Sequence, residues 1–179
     1  MLPMVSEVGE LRRARAALDE AMAAIGRTEP AQLSVMIETP AAALLADQLA
    51  AEADFLSVGT NDLTQYTLAA DRGNAAVAAL VDALHPAVLR LIARAAEAAA
   101  AHDRPLGVCG GLASEPRAAP LLVGLGVTEL SATPAAVPAV KAAVRATTLV
   151  PARALATRAQ SARSAGEVRG LLGEEPCAR

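Results

Sequence analysis

Short apolar runs alternate with longer stretches in which apolar residues recur at helical spacing, and the alternation repeats along most of the chain. Leu2–Val5, Leu33–Ile37, Phe55–Val58, Leu106–Cys109 and Glu129–Ser131 read as strands. Helical patterns lie from Ser6 to about Ile25, at Ala41–Ala53, Leu63–Ala70 and Ala75–Leu84, and from Pro86 to near His102. Two more begin at Ser114-Glu115-Pro116 and at Pro138. Ser6 fits an N-cap, with Glu7 and Glu10 placed where carboxylates favour the helix dipole. Thr39 fits another, with Pro40 at the first helical position. The stretch 150–179 predicts one or two further helices. Its Arg153, Arg158 and Arg163 recur every fifth residue and so spiral around a helix, the pattern of a solvated surface.

Repeated β-α units with continuous apolar strands predict a parallel sheet covered by helices. An open doubly wound sheet and part of a (β/α)8 TIM barrel both fit. Glu38, Asn61, Asp62 and Cys109 each follow an apolar strand, on the face that carries function in either architecture. No Gly-x-Gly-x-x-Gly fingerprint opens the first unit, which weighs against a dinucleotide site and favours the barrel.

Composition narrows the picture. With 54% hydrophobic and 20% charged residues in 179, disorder throughout is excluded. One Phe, one Tyr and no Trp leave the core to Ala, Leu and Val, and runs such as Ala95–Ala101 suit helices. A net charge of −3 argues against nucleic-acid binding, which needs a basic surface. Cys109 and Cys177 lie too far apart in sequence for a disulfide scaffold and lack zinc-site spacing. There is no membrane-length apolar run and no signal-peptide pattern at the start, so the expected setting is cytoplasmic, without membrane insertion.

Glu38 and Asp62 follow consecutive strands. If those strands are neighbours, the two carboxylates converge at one mouth and suit Mg2+, which one or two carboxylates hold together with phosphate and water. Each also fits a cap on the helix after it. Asn61 and Arg72 suit a phosphoryl or carboxylate group, Arg through forked hydrogen bonds. Arg72 also fits a local salt bridge with Asp71. Cys109 precedes Gly110-Gly111; it reads either as a small inert hydrophobe or as a thiol that protonates a carbanion or enolate carbon. His85 opens a helix and His102 closes one, and both read as structural.

The run Asp54-Phe55-Leu56-Ser57-Val58-Gly59-Thr60-Asn61-Asp62-Leu63-Thr64-Gln65-Tyr66, continued to Asp71-Arg72-Gly73-Asn74, resembles the signature of the phosphoenolpyruvate–protein phosphotransferases, the enzyme I family of the bacterial sugar phosphotransferase system. So do Val35-Met36-Ile37-Glu38-Thr39-Pro40-Ala41-Ala42, Gly107-Val108-Cys109-Gly110, Leu2-Pro3-Met4-Val5 and His85-Pro86-Ala87-Val88-Leu89. The wider family includes pyruvate phosphate dikinase and phosphoenolpyruvate synthase; Tyr66 and the Asp71–Asn74 ending resemble enzyme I instead.

The resemblance runs to about Leu149. It implies an α/β fold: a partial (β/α)8 TIM barrel, about the last five β-α units, at residues 1–149, with a C-terminal helical tail at 150–179. A whole barrel takes about 250 residues. It implies Mg2+ on Glu38 and Asp62, phosphoenolpyruvate on Asn61, Asp62 and Arg72, and Cys109 as the proton donor that turns enolpyruvate into pyruvate. The phosphoryl group then passes to a histidine on a separate domain and on to the carrier protein HPr. Homodimerisation is also implied. Three departures stand out. The phosphohistidine motif is absent, the first barrel units are absent, and Gly111 replaces a usual Glu. They leave a second expectation open: a non-catalytic module for binding or dimerisation. A partial barrel exposes sheet edges, so the chain is expected to aggregate, oligomerise or be completed by a partner.

Overall fold

Val35, Ile37, Leu56, Val58, Leu106 and Val108 are at most 1% exposed, and these apolar pairs define the strands. The computed structural model describes residues 1–173, so Cys177 lies outside the described residues. Strands β1 (Val35–Ile37), β2 (Leu56–Gly59), β3 (Leu106–Cys109) and β4 (Glu129–Leu130) form one parallel sheet in the order β1-β2-β3-β4. Every step goes to the next neighbour in the same direction. Right-handed crossovers then place the connecting helices on one face, as in a barrel wall. A doubly wound sheet reverses its strand order, and the described sheet does not.

The helices are α1 (Val8–Ala24), α2 (Pro40–Leu44), α3 (Ala46–Glu52), α4 (Thr60–Leu68), α5 (Pro86–Ala101), α6 (Ala119–Gly124), α7 (Val137–Ala146), α8 (Leu149–Ser161) and α9 (Ala165–Leu171). The Ala-rich α5 packs against α2, α3, α4 and α8 and lies over β2 and β3. Its small side chains allow this close helical layer without aromatic residues. Arginines tie the layer together: Arg90 Nε donates to the Gln160 carbonyl of α8 (2.7 Å) and Arg94 Nε to the Leu44 carbonyl of α2 (3.1 Å). Arg104, just past α5, donates to the Ala50 carbonyl of α3 (3.3 Å). Helix α8 lies so close to α6 that a Cβ on Gly124 would collide with the Ala152 carbonyl. No described helix is long and apolar enough to cross a membrane.

At the N-terminal end of the sheet, Asp54 accepts from the Leu33 N–H (2.6 Å) and from Arg15 Nη2 (2.8 Å). The Leu33 N–H, and then Arg15, hold its carboxyl below the usual aspartate value. Arg15 Nη1 also donates to the Ala31 carbonyl at 2.7 Å.

Several local expectations change. Of Leu2–Val5 only Leu2 joins the sheet, as a parallel bridge to Val35. Pro3 has no N–H to donate, and Met4 turns the chain away at φ 55°. Helix α1 is capped by Glu7 instead of Ser6, in a reciprocal capping box with Glu10. The predicted Ala41–Ala53 helix breaks at Leu45 into α2 and α3, while α4 begins at Thr60. Ala75–Leu84 is not an α-helix. It holds one short 3-10 turn, Ala78–Leu80, because Asn74 Oδ1 takes the Ala76 N–H and Leu80 stays 62% exposed. Propensity without an apolar face to bury does not hold a helix.

Candidate functional site

The register pairs Ile37 with Val58, Gly59 with Cys109 and Val108 with Leu130. Carried one residue further, it places Glu38, Gly59, Cys109 and Ser131 in one row across the C-terminal ends of the four strands. Side chains alternate along a strand, so this row faces away from the apolar surface under the helices. Ser57 shares that face, one step below Gly59. Register thus puts Glu38 and Cys109 on the same sheet face, two strands apart with Gly59 between them.

Glu38 is only 4% exposed. Its Oε1 accepts from the Met4 N–H at 2.7 Å, the bond that accompanies the turn at Met4. Among the described residues no cationic side chain pairs with it. A buried carboxylate without a countercharge is costly, and a bound cation would remove that cost. Its carboxylate packs directly over Gly59: a Cβ there would come within 2.7 Å of Glu38 Oε2 and 3.0 Å of Met36 Sδ, so only glycine leaves the carboxylate its place. Glu38 does not cap α2, since Thr39 does so through the Ala42 N–H (3.0 Å).

Asp62 sits in the first turn of α4, and its Oδ1 lies 3.0 Å from Arg72 Nη1. This is Arg72's ion pair, and the local alternative with Asp71 gives way: Asp71 Oδ1 takes the Gly73 N–H at 2.7 Å. Among the described residues no group of three or more His, Cys, Asp or Glu forms a metal-holding cluster. Two hard carboxylates, Glu38 and Asp62, fit a magnesium ion that completes its shell from phosphate and water.

Cys109 is half-buried. Its thiol donates to the Val58 carbonyl (3.4 Å), and the Ser57 hydroxyl approaches its sulfur at 4.0 Å. The turn after it is clamped by α4. Thr60 Oγ1 donates to the Cys109 carbonyl (2.8 Å), and Asn61 Oδ1 accepts from the Gly111 N–H (3.0 Å). Asn61 thus keeps its amide N–H groups available to a ligand. Gly110 has φ 90°, and a Cβ there would run into Thr60 Oγ1 and come within 2.9 Å of Asn61 Oδ1, so both backbone and space require glycine. Both histidines lie at helix ends: His85 Nδ1 caps α5 by accepting from Ala87 N–H (3.2 Å), and His102 closes it.

The sequence reading passed over Ser57, Gly59, Thr60 and the Met4 N–H. The first two were detectable from period-two alternation with Cys109's row. The last depends on a backbone turn that no residue type announces. The apolar groove of about 350 Å3 lined by Pro120, Thr147, Pro151 and Leu155 shares no residue with the strand ends and carries no ionisable side chain.

A parallel sheet wound in one direction, with helices in every crossover, is the architecture of part of a β/α barrel. The chain belongs to the phosphoenolpyruvate-utilising enzymes: residues 1–149 match the phosphoenolpyruvate-binding domain of that family. It is 51% identical to a multiphosphoryl transfer protein of Xanthomonas campestris pv. campestris, over 96% of this chain and 20% of that one. Phosphoenolpyruvate–protein phosphotransferases of Haloferax volcanii and Haemophilus influenzae are 46% and 41% identical, over 96% and 97% of this chain and 31% of each relative. The chain thus spans about a fifth to a third of these relatives. A citrate lyase structure from Burkholderia xenovorans shares the fold at TM-score 0.62 and 19% identity, over 96% of this chain and 60% of that one.

Proposed function

We propose that this chain binds phosphoenolpyruvate with Mg2+ at the ends of β1, β2 and β3, and serves phosphoryl transfer from phosphoenolpyruvate to a histidine of another domain, with release of pyruvate. The observation that carries the reading is the row Glu38–Gly59–Cys109, with the Asp62–Arg72 pair beside it. Glu38 and Asp62 would hold the metal, whose chemistry is to neutralise charge on the phosphoryl oxygens. Arg72 and the Asn61 amide orient the substrate's anionic groups. Loss of the phosphoryl group leaves an enolate. The Cys109 S–H bond then breaks, its proton forms the new C–H bond at the methylene carbon, and the electron pair stays on sulfur. By this reading the acceptor domain, HPr and a second copy of the chain are the partners, in a cytoplasmic sugar-uptake system, and the described residues from 150 to 173 form a helical tail on the barrel part.

Calorimetric titration with phosphoenolpyruvate, with and without Mg2+, tests the site. Metal-dependent heat that vanishes in Asp62→Ala is expected; no heat under any condition sinks the reading. In the enzyme completed with its other domains, Cys109→Ala should bind substrate and lose turnover. A second reading, a binding or dimerisation module without catalysis, is favoured by Gly111 and by the capping role of His85. It predicts binding in the first experiment and no turnover even in the completed enzyme.

A further inference from the structure

We infer that Ser57 is a positioning residue for Cys109, holding its sulfur and stabilising the thiolate left when the thiol gives up its proton. The inference rests on the function proposed above. Ser57 is 6% exposed, in the middle of β2, on the sheet face that carries Gly59 and Cys109. A buried hydroxyl needs a partner. Among the described residues, the one that Ser57 Oγ has is Cys109 Sγ, at 4.0 Å. The register explains the approach. Ser57 pairs with Gly107, two residues before Cys109 on the same strand face, and Gly107 has no side chain to come between them.

The sulfur therefore touches β2 in two ways. Its proton rests on the Val58 carbonyl at 3.4 Å, and it accepts from Ser57. When the proton moves to a substrate carbon, the carbonyl bond is lost and the Ser57 hydroxyl is the donor already in place beside the new negative charge. Hydrogen bonds to charged acceptors are shorter and stronger than neutral ones, so the 4.0 Å contact tightens at that moment. The other ionisable groups on this sheet face, Glu38 and Glu129, are acidic and give a thiolate no donor. Ser57 thus favours the proton-delivered state over the resting one, which is what accelerates a step.

The test uses the full chain carrying Cys177→Ser, so that Cys109 alone reacts. Iodoacetamide alkylates the thiolate, so its rate at pH 8 reports how well the site supports charge on sulfur. Ser57→Ala should slow alkylation about two- to fivefold, the effect of one hydrogen bond softened by the rise in intrinsic nucleophilicity. Ser57→Thr, which keeps the hydroxyl, should restore the rate, with equal thermal midpoints for all three chains. Equal rates in the Ala and parent chains would overturn the inference, and so would Thr behaving like Ala. Exchange of pyruvate methyl protons into D2O, followed by NMR with Mg2+ present, runs the same proton transfer in reverse. Absence of exchange in the parent chain counts against the proposed reaction, while the alkylation comparison still decides the role of Ser57.

Discussion

Arg72 Nη1 stands 3.0 Å from Asp62 Oδ1, so a residue proposed for the substrate and a residue proposed for the metal are paired with each other in the free chain. Both side chains are substantially exposed, and an exposed pair of this kind adds little stability. Its consequence is positional. Helix α4 holds Asp62, and Asp62 holds the guanidinium of the following loop near the strand ends. Arg72→Lys keeps the charge and loses the fork. Calorimetry should show phosphoenolpyruvate binding weakened about tenfold, with a thermal midpoint moved by less than about 2 °C. Unchanged affinity would remove Arg72 from the site.

Asp54 predicts an acid limb of stability. Its folded carboxyl titrates below the ordinary value, first through the Leu33 N–H and then through Arg15. A depressed folded value means the stabilising contribution is present above the unfolded value near 3.9 and is lost as pH falls through the folded one. Asp54→Asn should lower the midpoint at pH 7 by about 2–4 °C, and the gap from the parent should shrink steadily below about pH 4. Parallel curves down to pH 2 would contradict this.

Gly124 predicts a severe packing defect. A Cβ there overlaps the Ala152 carbonyl, which is backbone and cannot swing aside. Gly124→Ala should destabilise by about 1–3 kcal/mol in denaturant unfolding, despite its better helix propensity. A gain in stability would mean that α8 does not rest on α6 as described.

Gly111 is the opposite case. Its backbone is in the right-handed helical region, and a Cβ would meet only Asn61 Oδ1 at 3.6 Å. Gly111→Glu should therefore fold with an equal or higher midpoint, because it narrows the unfolded ensemble without strain. The new carboxylate, two residues beyond Cys109, should slow iodoacetamide alkylation about twofold at low salt. A lowered midpoint would show that glycine is needed there.

The sheet was legible where burial and local preference agree. Val35, Ile37, Leu56, Val58, Leu106 and Val108 must be buried on the helical face, and their strings allow nothing else. Glu38 and Cys109 could be placed at strand ends for the same reason, and the motif strings named the family. What could not be read is what depends on a partner distant in sequence. Nothing in Arg72 says that it prefers Asp62 to the adjacent Asp71. The Met4 N–H reaches Glu38 only because Pro3 and a positive φ turn the chain there. Ala75–Leu84 misled because alanine favours a helix, whereas here Leu80 lies in solvent and only the end of the stretch, at Leu84, reaches the core.

The arginines of α5 and the turn after it are anchored on carbonyl oxygens of α2, α3 and α8, and such dipolar acceptors attract few counterions of their own. Added salt competes with pairs of opposite charge far more than with these bonds. Raising the ionic strength to that of brine should therefore leave the helical layer standing, while the Asp62–Arg72 contact at the mouth loosens first.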